Sequence, residues 1–234
     1  MLHLDLEGFF ASIPAARVYG VFHLLGYPEQ VAHTLTALVT TVVPLGLWQV
    51  VPAPSDPRLL EAHWRLGRRL AAPHLPQGAP TSPAVANLVA HALDRRLAGL
   101  AASFGAAYTR YADDLAFSLA RGAGALARAV GEVVVDEGFR LNPAKTSVVR
   151  SSQRQLLTGL VVNERPGVPR AELDQLRAVL HRCVVDGPGA PHERLPVPDL
   201  EAHLLGRIAW VGVSRPDRPR RLRATFDTID WPCQ

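Results

Sequence analysis

Alternating apolar and polar residues predict β-strands at two places in the chain. The first is residues 2–10, a short apolar stretch that ends in a glycine and two aromatics. The second is residues 108–118, where aromatic, β-branched and apolar residues flank the adjacent acids Asp113 and Asp114. Because Asp-Asp is turn chemistry, we expect a β-hairpin with both carboxylates at its tip.

Apolar residues at helical spacing, punctuated by proline and glycine, predict helices around these strands. Ser12 is the expected N-cap of the first helix, and Ser82 that of a later helix with Pro83 in its first turn. That later helix should bury one apolar face under the sheet, formed by Val85, Leu88, Val89, Ala92, Leu93 and Leu97. The other predicted helices cover residues 14–25, 28–41, 59–70 and 124–137, then 171 onward, 200–211 and 220–228. Further strands are expected near residues 146–150 and 155–162.

Residues 34–55 carry no charged side chain, so a membrane span has to be considered. Pro44, Pro52 and Pro54 interrupt the stretch, and its hydropathy does not suit a bilayer helix. We therefore expect a buried helix followed by a strand, and no membrane partner.

Composition narrows the class without identifying a function. The chain has 234 residues, 48% of them hydrophobic, which is enough to bury a sizeable core. Its net charge of +4 suits a polyanionic partner, although such an excess is common in unrelated proteins. The cysteines, Cys183 and Cys233, have neither metal-ligand spacing nor a disulfide framework, and no signal peptide is visible, so a cytoplasmic location is expected.

A third acid, Asp5, lies in the first predicted strand and gives the Asp113–Asp114 pair a chemical interpretation. Taken alone, that pair could equally be a solvated turn. Three carboxylates from two strands can instead hold two divalent ions, and oxygen-only ligands favour Mg²⁺. Two such ions activate a hydroxyl and stabilise a leaving pyrophosphate in polymerases, and they serve hydrolysis in nucleases.

Five motifs occur in the order found in reverse transcriptases: Asp5 with Phe9-Phe10, Leu-Pro-Gln-Gly-Ala-Pro-Thr-Ser-Pro at 75–83, Tyr-Ala-Asp-Asp at 111–114, Gly-Phe-Arg-Leu-Asn-Pro-Ala-Lys-Thr at 138–146, and Thr-Gly-Leu-Val-Val-Asn at 158–163. The chain resembles a bacterial retron-type reverse transcriptase. The resemblance implies an α+β fold, with a polymerase palm over residues 1–168, made of an antiparallel sheet backed by helices. A helical thumb over residues 169–234 would follow, interrupted by a proline-rich linker at 187–198.

The resemblance also implies roles for particular residues. The metal ligands would be Asp5, Asp113, Asp114 and the backbone carbonyl of Leu6. Groups that contact the reactants would be Phe10 beneath the deoxyribose, Gln77 and Gly78 at the incoming nucleotide, Tyr111 near the primer end, and Lys145 near the leaving pyrophosphate.

Each of these assignments has a plainer alternative. By strand alternation only one of Phe9 and Phe10 can face the site, and the other would be a core residue. Tyr111 could simply pack in the sheet, and Lys145, the single lysine of the chain, could be a surface residue. Arg110 either touches nucleic acid or faces solvent.

The expected partners follow from the same resemblance. They are an RNA template, a DNA or RNA primer and deoxynucleoside triphosphates, together with two Mg²⁺ ions. A cognate structured non-coding RNA and a role in phage defence are further expectations for a retron enzyme, although Leu157-Thr158-Gly159 stands where retron enzymes typically carry Val-Thr-Gly. Duplex contact is expected from a basic cluster in the thumb, formed by Arg215, Arg218, Arg220, Arg221 and Arg223.

The sequence departs from the family in what precedes Asp5. The family's fingers region, which grips the triphosphate and template, is expected to be missing, and no clear Asn-Ala-x-x-His element follows. A misplaced start, a partner chain that supplies the fingers, or a shortened remnant would each account for this. A catalytically impaired nucleic-acid-binding protein and a magnesium-dependent nuclease therefore stay as alternatives to a polymerase.

Overall fold

The structure is a computed structural model that describes residues 1–188, 199–214 and 217–231. It forms two compact units, Met1–Val149 and Arg150–Gln234. Most of the predicted linker at 187–198 lies outside the described residues, as do Arg215 and Cys233. The predicted domain boundary between residues 168 and 169 stays a prediction.

An antiparallel sheet with the strand order β2-β3-β1-β4 organises the first unit. Its strands are β1 (Leu2–Asp5), β2 (Ala107–Tyr111), β3 (Asp114–Ser118) and β4 (Ser147–Val148). Strands β2 and β3 form the predicted hairpin, with Tyr111 opposite Asp114. Strand β1 pairs with β3 so that Asp5 is opposite Asp114. The register therefore brings the acids of both predicted strands to one end of the sheet.

Helices cover the sheet as the apolar periodicity predicts. In the first unit they are α1 (Ala15–Leu24), α2 (Glu29–Val39), α3 (Leu45–Gln49), α4 (Pro57–Leu70), α5 (Ser82–Val89), α6 (His91–Ser103) and α7 (Ala123–Asp136). Strand residues Leu4, Leu115 and Phe117 share one core with Leu93 and Val130 of these helices. The mixed helical and antiparallel architecture expected from the sequence is confirmed.

Two predicted caps and one predicted helix need correction. Ser12 does not cap α1, because it lies in a 3₁₀ turn and its hydroxyl donates to the Phe9 carbonyl. The Ser82 hydroxyl donates to the carbonyl of Pro76 at 2.6 Å, so it ties the preceding loop to α5. The helix breaks at Ala90 into α5 and α6. Leu88 and Ala92 are exposed, because they lie just beyond one edge of the buried face formed by Val85, Ala86, Val89, Leu93 and Leu97.

The charge-free segment differs most from the prediction. No strand follows α2 within the segment, where Thr41 makes only an isolated bridge to His74. Pro44 instead precedes the short helix α3, and the later prolines lack the N–H that a sheet ladder requires. Helix α2 is mostly exposed, with only Ala32 and Thr36 buried. None of the helices in the described ranges is long and apolar enough to cross a bilayer.

The second unit combines a small hairpin with three helices. Its elements are β5 (Leu156–Leu157), β6 (Leu160–Val161), α8 (Arg170–Asp186), α9 (Leu200–Ser214) and α10 (Arg218–Phe226). The single strand predicted at 155–162 is in fact this hairpin, whose two-residue turn is Thr158-Gly159. Its core contains the predicted helical face, Leu173, Leu176, Val179 and Leu180, with Leu204, Ile208 and Val211. Arg220, Arg221 and Arg223 lie exposed on α10.

Candidate active site

The carboxylates of Asp5, Asp113 and Asp114 share one end of the sheet. Asp5 is only 5% exposed and pairs across the ladder with Asp114, which faces solvent. The Leu6 N–H donates to the Asp113 carbonyl at 2.9 Å, which ties the turn of the hairpin to the end of β1. The Leu6 side chain is buried in the core, so the predicted role of Leu6 at this site rests on its backbone carbonyl. The hairpin and the first strand thus assemble the predicted acids as expected.

Lys145 joins these acids from a different part of the chain. Its Nζ lies 2.8 Å from Asp5 Oδ1, although the side chain is 62% exposed. The lysine ends a 3₁₀ turn that Asn142 begins, and the Asn142 N–H donates to the Asp5 carbonyl at 2.7 Å. Lys145 is therefore placed against the carboxylates by local structure.

The site carries an excess of negative charge close to low-dielectric protein. Partial burial, followed by the charges of Asp113 and Asp5, raises the pKa of Asp114. The hydrogen bond and charge of Asp5 raise the pKa of Lys145 in turn. The lysine ammonium offsets part of the repulsion between the acids.

The donor chemistry fits a hard divalent cation, because the acids offer oxygen ligands only. Within the described part of the chain, however, no three His, Cys, Asp or Glu side chains converge as a ready-made metal cluster. The Asp5 carboxylate faces the Lys145 ammonium instead. Glu7, two residues beyond the end of β1, is held by Arg65 at 3.0 Å.

A cavity of about 600 Å³ lies beside the Asp-Asp turn. It brings together Phe10, Gln77, Gly78 and Tyr111, four of the five residues expected to contact reactants, whereas the fifth, Lys145, does not line it. The remaining lining residues are Phe9, Ala79, Pro80, Pro83, Ala86, Asn87, Arg110 and Ala112. The three aspartates do not line the cavity, and Ala112 connects it to their turn.

Two of the alternatives raised by the sequence are resolved by this cavity. Phe9 is the core residue of the pair, 3% exposed, and the less buried Phe10 packs against it with ring centroids 5.4 Å apart. Both rings border the cavity, because the strand ends at Asp5 and Phe10 begins a 3₁₀ turn. Tyr111 is 69% exposed, so it does not pack in the sheet.

Arg110 does not face solvent, which was one of its two predicted alternatives; contact with nucleic acid stays a prediction. Its side chain is 6% exposed and its guanidinium donates to both carboxylate oxygens of Asp94, at 2.8 and 2.6 Å. Tyr108 also donates to Asp94, and burial raises the pKa of Tyr108, so this hydroxyl keeps its proton. Asp94 of α6 and Asn87 of α5 complete this polar network, and neither was predicted from the sequence.

Comparison with known proteins agrees with this architecture. Residues 1–166 match the family model described as reverse transcriptase (RNA-dependent DNA polymerase). The retron Mx65 reverse transcriptase of Myxococcus xanthus is 40% identical over 228 residues, covering 95% of this chain and 48% of the relative. The retron Mx162 enzyme of the same organism is 36% identical over 248 residues, covering 98% of this chain and 47% of the relative. The retron Ec86 reverse transcriptase of Escherichia coli is 34% identical over 185 residues, covering 77% of this chain and 48% of the relative. The chain thus spans about half the length of the curated relatives it matches.

Proposed function

The chain belongs to the reverse transcriptase family, and we propose that it carries the catalytic centre of an RNA-directed DNA polymerase of the retron type. The observation that supports this most strongly is the juxtaposition of Asp5, Asp113, Asp114 and Lys145 beside a cavity of nucleotide size. The retron enzymes of two bacteria, similar over most of this chain, support the retron assignment.

The proposed reaction is the attack of a primer 3′-hydroxyl, or of an RNA 2′-hydroxyl, on the α-phosphate of a deoxynucleoside triphosphate. Asp5, Asp113, Asp114 and the Leu6 carbonyl would hold two Mg²⁺ ions, which supply hydroxyl activation and charge neutralisation at the leaving pyrophosphate. Lys145 would add a further cation on the pyrophosphate side. The raised pKa of this lysine keeps it charged near neutral pH.

The cavity would hold the sugar and base of the incoming nucleotide. Phe10, supported by the buried ring of Phe9, would close the space beneath C2′ and so disfavour a ribonucleotide. Gly78 has φ +90 and no side chain, which lets the backbone of the Gln77-Gly78 loop approach the substrate closely. Exposed Tyr111 would contact the primer end.

Residues 1–168 would act as palm and residues 169–234 as thumb, with template, primer and deoxynucleotides as partners. The exposed arginines of α10 would contact phosphates of a duplex. Leu157-Thr158-Gly159 of the β5–β6 hairpin would contact a cognate structured RNA, and a role in phage defence would follow from a retron context.

The test is extension of a DNA primer on an RNA template in the presence of Mg²⁺, by the parent chain and by the Asp113→Ala/Asp114→Ala double variant. We expect extension by the parent only, with equal template–primer binding by both proteins. Asp136→Ala, on the surface of α7, is a matched acidic control that should extend normally. Extension by the double variant would remove the mechanism. Binding without extension by the parent would favour a catalytically impaired nucleic-acid-binding protein.

A further inference from the structure

We propose that Arg110 is a positioning residue that holds the Asp113–Asp114 turn in its working conformation. This inference rests on the proposed function, because it concerns the same carboxylates. The Arg110 side chain makes its hydrogen bonds to Asp94, Asn87 and the Ala112 carbonyl, and none of them is to Asp5, Asp113 or Asp114. It acts through the backbone of Ala112, the residue immediately before the acids.

The guanidinium of Arg110 makes hydrogen bonds in three directions. Nε and Nη2 donate to the two carboxylate oxygens of Asp94 at 2.8 and 2.6 Å. Nη1 donates to Asn87 Oδ1 and to the carbonyl of Ala112, both at 3.0 Å. Helices α5 and α6 therefore anchor one side of the fork, and the turn between β2 and β3 is held on the other.

The backbone held in this way is one that alanine seldom adopts. Ala112 has φ +51, in the left-handed region that disfavours side chains larger than glycine. Two contacts flank it: the Arg110 bond to its carbonyl, and the Leu6 N–H bond to the Asp113 carbonyl at 2.9 Å. The turn is thus fixed from the helix side and from the β1 side. An unfavourable backbone conformation beside an active site persists only when surrounding contacts determine it.

Burial and shape make arginine specific for this position. The Arg110 side chain is 6% exposed and its guanidinium carbon lies 5.5 Å from the centre of the Phe9 ring. A lysine keeps the charge and can pair with Asp94, but it cannot present donors in three fixed directions at once. Replacement by lysine should therefore preserve the ion pair and release the turn.

Arg96 provides the matched control. It too pairs with acids, donating to Asp136 and Glu137 at 2.8 and 3.0 Å, and it lies on the same helix as Asp94. Its side chain is 43% exposed and its bonds join α6 to the end of α7, away from the turn. If Arg110 formed only a structural ion pair, Arg110→Lys would have the same effect on the protein as Arg96→Lys.

The test compares Arg110→Lys with Arg96→Lys in the full chain by three readouts. The first is exchange of the Leu6 amide, followed by NMR, with the Thr41 amide of the same unit as internal reference. The second is the affinity for Mn²⁺ alone, measured from the EPR signal of the free ion. The third is kcat and KM for single-nucleotide extension. Asp94→Asn serves as a second variant, because it keeps the shape of the side chain but removes the charge that pairs with Arg110.

For Arg110→Lys we expect Leu6 exchange to accelerate roughly tenfold while Thr41 is unchanged, since one flanking contact is lost. We expect Mn²⁺ affinity to fall, and kcat to drop on the order of a hundredfold with little change in KM, because the acids are displaced from their working geometry. Asp94→Asn should shift the same quantities less, and Arg96→Lys should shift none.

Unchanged Leu6 exchange in Arg110→Lys overturns the inference, as does acceleration of Leu6 and Thr41 together, which marks global loosening. If the parent chain does not extend a primer, the proposed function fails, but Leu6 exchange still decides whether Arg110 positions the turn. If the parent extends and Arg110→Lys keeps its kcat, the positioning role fails while the polymerase assignment stands.

Discussion

At the scale of single residues, Phe10 tests whether the cavity selects the sugar. Phe10→Ala opens space in the cavity floor, so we expect the ratio of ribonucleotide to deoxynucleotide incorporation to rise on the order of tenfold to a hundredfold. Competitive kcat/KM measurements on one template would give this ratio. Phe104→Ala removes a ring that does not line the cavity and should leave the ratio unchanged. A ratio equally unaffected by Phe10→Ala would mean that this ring does not face the sugar.

The contribution of the Lys145 charge to catalysis can also be tested with a single substitution. Lys145→Gln keeps much of the side-chain length and removes the positive charge against Asp5. We expect the single-turnover rate of incorporation to fall on the order of a hundredfold, the scale of losing one preorganised electrostatic contact to the leaving group. Because the side chain is largely exposed, the melting temperature should change little. A normal rate in this variant would show that the pair with Asp5 has no catalytic role.

Among the residues of the site, some contacts could be predicted from the sequence and others could not. The proximity of Asp5 to the Asp113–Asp114 pair follows from two apolar strands that end in acids, so it could be predicted. The network of Arg110 with Asp94 could not be predicted, because a polar residue on a partly buried helix gives no local sign of its partner. Only the strand register and the helix placement bring those two side chains together.

At the scale of elements, the β5–β6 hairpin carries a residue that its turn does not favour. Thr158 and Gly159 have φ +47 and +83, as in a type I′ turn, which prefers Asn-Gly over a β-branched residue. Thr158→Asn should therefore stabilise the protein by about 1 kcal/mol, measured by thermal unfolding. If the threonine is kept for recognition of structured RNA, the same change should weaken that binding. A variant no more stable than the parent would contradict the turn assignment.

Helices α3 and α4 offer a test of packing. A Cβ at Gly67 of α4 would overlap the indole of Trp48 in α3, whereas a Cβ at Gly20 of α1 meets nothing nearby. We expect Gly67→Ala to destabilise the chain by about 1 to 3 kcal/mol through overpacking. Gly20→Ala, in the open interior of a helix, should stabilise it by roughly 0.5 to 1 kcal/mol. Urea unfolding of the two variants should thus move in opposite directions, and equal shifts would contradict the α3–α4 contact.

Amphipathic helices were the elements that the sequence predicted best, since a periodic apolar face records burial directly. The segment after α2 was predicted worst. Its apolar, charge-free composition suggested a buried helix followed by a strand. However, its prolines lack the N–H groups that a strand donates to its neighbours in a sheet, and most of α2 is exposed. The break at Ala90 was also invisible, because Val85, Val89, Leu93 and Leu97 keep one four-residue repeat across it.

At the scale of the whole molecule, two criteria divide the chain at different places. Each unit has its own apolar core, and the compact units meet at Val149 and Arg150. The family match continues to residue 166, into the unit that begins at Arg150. The boundary at residue 168 was inferred from sequence motifs, which reflect shared function. The boundary between the compact units reflects packing, so the two need not coincide.

The most direct test of the proposed polymerase activity is templated addition of a single nucleotide by the 234-residue chain. A DNA primer is annealed to four RNA templates that differ in the next base, and each is offered the four deoxynucleotides separately with Mg²⁺. We expect addition of the complementary nucleotide alone on every template, and none by the Asp113→Ala/Asp114→Ala variant. Addition that ignores the template base, or that survives loss of both acids, would contradict the proposed activity.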